Sequence, residues 1–155
     1  MKTPQFIFYK EILRSNYKEF DALCKKYLGN HKIVYSVKTN PFPGVIKTLL
    51  KEGSGFEAAS LDEINLVKRS RGLKILNGPA KTEQELRIAI KSKFLINVDS
   101  KSEIEKISKI IRGRPLNIGL RVALTESKFG ISVEKVKEII RYADSKNLKV
   151  ISLHL

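Results

Sequence analysis

The stretch from Ile33 to Gly44, IVYSVKTNPFPG, sets a lysine, Lys38, between an apolar run and a Thr-Asn-Pro turn. An amine held at the tip of a buried strand is desolvated. Its pKa falls, and its neutral form attacks an aldehyde to give a Schiff base. A lysine that simply ends a strand in water has no such chemistry, and position alone leaves both readings open. Further groups stand where other apolar runs end: Glu57 in GFEAAS, Asn77 to Lys81 in NGPAK, Asp99 in INVDS, Arg121 in LRV, Lys128 in ESKFG and His154 in SLHL. Glu57 reads equally as a general acid or as a charge partner at the mouth of a site. Arg121 reads first as a structural ion-pair partner. His154, between apolar neighbours, reads as a satisfied core histidine.

Other chemistries find no support. Two histidines, His31 and His154, and one cysteine, Cys24, make no metal-ligand spacing. Cys24 lies in the helical pattern ALCKKYL, has no evident activating partner and fits a small core residue. Neither a GxSxG elbow nor a Walker A loop occurs. No GxGxxG follows the first apolar run.

The elements that must hold these groups alternate. Apolar runs at 32–37, 55–59, 74–78, 94–98, 116–122 and 149–155 are separated by segments with helical spacing, such as Ile104, Ile107, Ile110 and Ile111. The runs are nearly continuous in apolar character, as expected of parallel strands buried on both faces. Three helix starts, Ser60-x-x-Glu63, Thr82-x-x-Glu85 and Ser100-x-x-Glu103, fit capping boxes. Gly53, Gly72 and Gly113 sit where helices should stop. A helix from about Tyr9 to Leu28 precedes the series, with the stripe Ile12, Leu13, Tyr17, Phe20, Leu23, Cys24 and Tyr27. Before it, FIFY (6–9) reads as a short strand. The fold class is α/β: a repeated βα unit, six strands of the eight that a closed (β/α)8 barrel needs. In such barrels chemistry gathers where strands end and βα loops begin.

The 155 residues are 42% hydrophobic and 30% charged, with a net charge of +14. The lysines are scattered over the helices beside glutamates. This predicts a generally cationic surface rather than a nucleic-acid site. No stretch is long and apolar enough to span a membrane, and the N-terminus has no signal-peptide pattern, so a cytoplasmic location is expected.

Read in order, the segments resemble a known family. VYSVKTNP is similar to YAVKANP, the motif around the cofactor lysine of the pyridoxal-phosphate decarboxylases with an alanine-racemase-like barrel. These are the ornithine, arginine and diaminopimelate decarboxylases. GSGFEAASLDEI resembles GxGFDVAS-x-x-E, and LNGPAKTEQEL resembles G(P/N)xK-(S/T)-x-x-EL. INVDS-x-x-E, LRV, SKFGI and LHL follow in the same order, and TPQFIFY resembles the opening TPFYVYD.

The resemblance implies a partial TIM barrel of the fold type III pyridoxal-phosphate class. It divides the chain into residues 1–9, a strand that in the family joins the C-terminal β-domain, and residues 10–155, the N-terminal part of the barrel. It implies pyridoxal 5′-phosphate as cofactor, Lys38 as its Schiff-base lysine, and Glu57 and Arg121 near the cofactor. Glu57 stands where the family often has aspartate. Lys128 matches a lysine that in relatives pairs with an acid across a homodimer interface. The substrate implied is a basic or diamino acid of the ornithine, lysine or diaminopimelate type. The loops GPAKT and LRVALTESKFG tilt towards an ornithine or lysine type or an enzyme of specialised metabolism, without excluding diaminopimelate. The phosphate loop, the acid at the pyridine nitrogen and the β-domain would lie beyond Leu155, so the isolated chain is expected to be inactive and poorly folded. The alternatives are a non-catalytic fragment or regulatory relative, and an amino-acid racemase, whose lysine motif TNPFPGV does not match.

Overall fold

The structure, a computed structural model, describes residues 3–155. Seven strands form one sheet: β1 (Val34–Ser36), β2 (Gly55–Ala58), β3 (Lys74–Leu76), β4 (Leu95–Val98), β5 (Leu116–Ala123), β6 (Ile131–Ser132) and β7 (Leu148–His154). The first five pair in chain order, and both β6 and β7 pair with β5. Every pairing is parallel. Six helices intervene or precede: α1 (Lys10–Leu28), α2 (Pro43–Lys51), α3 (Leu61–Val67), α4 (Glu83–Lys91), α5 (Lys101–Ile111) and α6 (Val136–Asp144). The expected βα repeat is present. The two-residue β6 has no apolar run long enough to announce it.

Parallel partners in register share a face of the sheet. The register Tyr35–Phe56–Lys74 therefore defines one face, and Ser36–Glu57–Ile75–Leu95 the other. The first face is the core. Phe56, Leu76, Ile96, Val98, Ile118 and Leu120 are buried with Ile64, Leu86, Ile104 and Ile107 of the helices. Each such side chain contributes about 1.5–3 kcal/mol on burial. The second face, concave in a barrel, is left partly open and carries polar side chains.

Several expectations change. Burial on both faces fails at the two edges: β1 is only half-buried throughout, and Ile151 and Leu153 of β7 stand exposed. An edge strand has a neighbour on one side only, so half its cover is absent. None of α1 is buried. Leu13 and Tyr17 pack partly against the core, whereas Ile12, Phe20, Leu23 and Tyr27 of the expected stripe are exposed. The helix is docked by Arg14, whose Nε donates to Glu52 Oε1 at 2.7 Å. FIFY is not paired into a strand. Its Phe8 instead meets Phe42 edge-on, with ring centroids 5.5 Å apart.

Only one of the three capping boxes closes as expected. Thr82 Oγ1 accepts from Glu85 N–H, and Glu85 returns to the Thr82 N–H. Ser60 and Ser100 cap their helices, but their partner carboxylates reach past them. Glu63 accepts from Ala59 N–H, and Glu103 turns into the interior. After α5, Arg112 and Gly113 both take positive φ, 51° and 79°, which ends the helix where the glycine was expected to end it.

Gly119 shows how tightly the open face is packed between β4 and β7. A Cβ there would lie 1.9 Å from Asn97 Oδ1 and 2.8 Å from Ser152 Oγ. Gly119→Ala is expected to lower unfolding stability by about 2 kcal/mol, in the range of overpacking substitutions. Chemical denaturation reads this directly. An unchanged midpoint would mean that the Asn97 carboxamide is free to turn away.

Candidate active site

The carboxyl ends of the strands are tied together by one buried ion pair. Lys81, in the loop after β3, and Glu103, in the first turn of α5, have side chains only 2% and 1% exposed. The Lys81 ammonium donates to Glu103 Oε2 at 2.9 Å, to Gly78 O at 2.7 Å and to Asn97 O at 2.7 Å. All three of its donors are thereby used. Glu103 also accepts the backbone N–H groups of Lys81 and Asp99, each at 3.0 Å. Burying two charges is tolerable only with such complete partnering.

Asp99 continues the chain of contacts. Its Oδ1 accepts from Arg121 Nη1 at 3.0 Å, and its Oδ2 accepts from Gly130 N–H at 3.2 Å. Phe129 lies under the Arg121 guanidinium, 5.3 Å from ring centroid to Cζ. The 125–130 segment is thus held to the end of β4 by one carboxylate. One layer below, Asn97 Nδ2 donates to Asn77 Oδ1 at 2.7 Å. An open cleft of about 580 Å³ between this segment and α5 is lined by Asp99, Ser100, Lys128, Gly130 and Lys135, among others.

The residues singled out in the sequence are placed as follows. Lys38 is not in β1, which stops at Ser36. It sits in a short 3-10 turn, Val37–Thr39, and is exposed, so desolvation at a buried strand tip is not what these residues provide. The turn belongs to an edge strand, with no neighbour on its free side among the described residues. Glu57 is half-buried on β2, opposite Ser36 in register, and makes no ion pair among the described residues. Arg121 is an ion-pair partner, as its position suggested, and its partner is Asp99. Lys128 is exposed, with its ammonium 5.7 Å from the centroid of the Phe129 ring.

His154 is not a satisfied core histidine. It is half-buried opposite Arg121 in register, and its Nδ1 is a buried atom without a hydrogen-bond partner. Burial, then the charge of Arg121, lower its pKa, against weaker opposing effects of Glu57 and Asp99. His154 thus senses the charges of Arg121, Glu57 and Asp99. Ser36 Oγ, on the open face beside Glu57, is the other buried partnerless side-chain atom among the described residues.

Orphaned buried polar atoms are uncommon and mark a place where a partner is wanting. Here two of them, a half-paired guanidinium and an amine-bearing turn lie at one end of one open face. That set offers hydrogen-bond and charge partners to a polar or anionic ligand. The Lys81–Glu103–Asp99 network was missed in the sequence, where Glu103 reads as a cap. Its signal, Lys81 directly before the N-cap Thr82 and Glu103 one βα unit later, is visible only once those units are stacked.

Residues 14–155 match the family model described as "Pyridoxal-dependent decarboxylase, pyridoxal binding domain". The chain belongs to this family. Among curated relatives, the diaminopimelate decarboxylase of Vibrio cholerae is 29% identical over 92% of this chain and 39% of its own length. That of Archaeoglobus fulgidus is 27% identical over 91% and 37%. Among solved structures, diaminopimelate decarboxylase from M. jannaschii superposes with a TM-score of 0.88 at 25% identity, over 99% of this chain and 42% of that one. The lysine/ornithine decarboxylase of Vibrio vulnificus, complexed with putrescine, gives 0.77 at 28% identity, over 93% and 39%. The chain spans about two fifths of the length of these relatives. The partial α/β barrel expected from the repeat is the architecture these structures share.

The lowered His154 pKa gives a signed expectation. A histidine that is harder to protonate when folded adds stability that is present above its ordinary value near 6.5. That stability is lost as the pH falls through the lowered folded value. An NMR titration of the His154 imidazole should show a midpoint below 6.5; a midpoint at or above it would contradict the placement of His154 beside Arg121.

Proposed function

We propose that these residues serve a pyridoxal-phosphate-dependent decarboxylase acting on a basic or diamino acid, with Lys38 as the Schiff-base lysine. The observation that carries this reading is the gathering of the Lys38 turn, Glu57, the Asp99–Arg121 pair and His154 at the carboxyl end of one parallel sheet. Bound pyridoxal phosphate supplies an electron sink for the carbanion left by loss of carbon dioxide. The chain's own residues do the rest of the binding work. Lys38 holds the aldehyde end. Arg121, with one arm fixed by Asp99, presents its remaining N–H groups to an anionic or phenolic oxygen. Glu57 supplies a negative charge beside Ser36, and His154, kept neutral by burial, offers a hydrogen bond without adding charge.

Substrate class and assembly belong to this proposal as well. The diaminopimelate decarboxylases among the relatives, together with the lysine/ornithine enzyme, support a substrate with a second amino group. They lean towards diaminopimelate more than the GPAKT and ESKFG loops do. Lys128, exposed at the 125–130 segment, is assigned to a contact with a second copy in a homodimer, and residues 3–9 to a β-domain, Met1 and Lys2 of that segment lying outside the described residues. A cytoplasmic location fits the absence, among the described residues, of any helix able to cross a membrane.

Reduction with borohydride in the presence of pyridoxal phosphate, followed by digestion and mass spectrometry, tests the assignment. Selective modification of Lys38, abolished in Lys38→Ala, is expected. Modification spread over the surface lysines, unaffected by that substitution, would overturn it.

A further inference from the structure

The Lys81–Glu103 pair does more than a buried charge pair needs to. Replacing such a pair by apolar residues of similar volume is often neutral or stabilising, so stability alone is a poor reason for its presence. What an apolar pair cannot supply is partners for backbone groups. Here those groups come from both strand ends that border the open face: Gly78 O and Lys81 N after β3, and Asn97 O and Asp99 N at the end of β4. Lys106 Nζ adds a bond to Lys81 O at 3.1 Å. The Asp99 backbone is thus fixed from beneath, while its carboxylate holds Arg121 on one oxygen and the Gly130 N–H on the other.

We propose that Lys81 and Glu103 are positioning residues: by clamping the Asp99 N–H they aim the Asp99 carboxylate, and through it both Arg121 and the 125–130 segment, at the ligand. The ligand-facing half of this inference rests on the function proposed above. The half that links Glu103 to Gly130 does not. The contact path is Lys81, Glu103, Asp99 N–H, Asp99 carboxylate, then Arg121 Nη1 and Gly130 N–H, and every step between residues is a hydrogen bond of 3.2 Å or less.

The test separates positioning from stability. Lys81→Met alone leaves a buried carboxylate unpaired and should lower the unfolding midpoint sharply. Lys81→Met combined with Glu103→Leu removes both charges and should recover most of that loss. If the pair only stabilises, the double variant behaves like the parent in every other respect. If it positions, amide hydrogen exchange at Gly130 rises about tenfold or more despite the recovered midpoint. Pyridoxal phosphate affinity, read by absorbance, then falls by roughly tenfold, the scale of one charge-assisted hydrogen bond. Parental Gly130 protection in the double variant would overturn the proposal.

Should the double variant fail to fold, Asp99→Asn reads the link from its far end with Lys81 and Glu103 intact. Faster Gly130 exchange there supports the path, and unchanged exchange breaks it. A Gly130 effect in a parent chain that shows no selective Lys38 modification would sustain the positioning link and sink the decarboxylase reading.

Discussion

A single buried lysine–glutamate contact organises the carboxyl end of this sheet. Two opposite charges removed from water must be fully partnered or the fold loses several kcal/mol. The partners that Lys81 and Glu103 take are the backbone groups of the loops that border the open face. Electrostatic necessity in the interior is thereby converted into fixed geometry at the surface. The exposed ion pairs elsewhere, such as Arg87 with Glu83 on α4, have no such reach and contribute little.

The two faces of the sheet divide the labour. The helix-side face is a continuous apolar core, and it sets the order and register of the strands. Because side chains alternate, the same register places Ser36, Glu57, Asn77, Asn97, Arg121 and His154 where strands present polar groups to the open side. Gly119 is what lets this face close up, since any side chain there would collide with Asn97 and Ser152. The edges are the weak margin. β1 is only half-buried, β7 keeps Ile151 and Leu153 in the open, the outer stripe of α1 is exposed as well, and Lys38 follows the half-buried edge strand β1.

The repeat of strand and helix was legible in the sequence because periodicity and glycine stops are local signals, and the six principal strands fall within a residue or two of the apolar runs. Arg121 was legible as an ion-pair partner because a guanidinium within an apolar run needs a partner, although β5 continues past it to Ala123. What could not be read were relations between units. Glu103 looks like a capping glutamate because Ser100 stands three residues before it, and Ser100 does cap. Only stacking α5 beside the loop after β3 shows that the carboxylate turns inward to Lys81. His154 was misjudged because apolar neighbours say nothing about whether a ring nitrogen finds a partner. Lys38 was read at the tip of a strand, but β1 stops at Ser36 and a 3-10 turn, Val37–Thr39, carries the lysine.

The most direct test is a crystal structure of the chain after reductive coupling to pyridoxal phosphate. Continuous electron density is expected from Lys38 Nζ to a ring lying over the open face, near Glu57, Arg121 and His154, with the Lys81–Glu103 pair undisturbed beneath. A ring turned outward from β1, or attached to lysines of the helices with the open face empty, would contradict the assignment of this face as the ligand site.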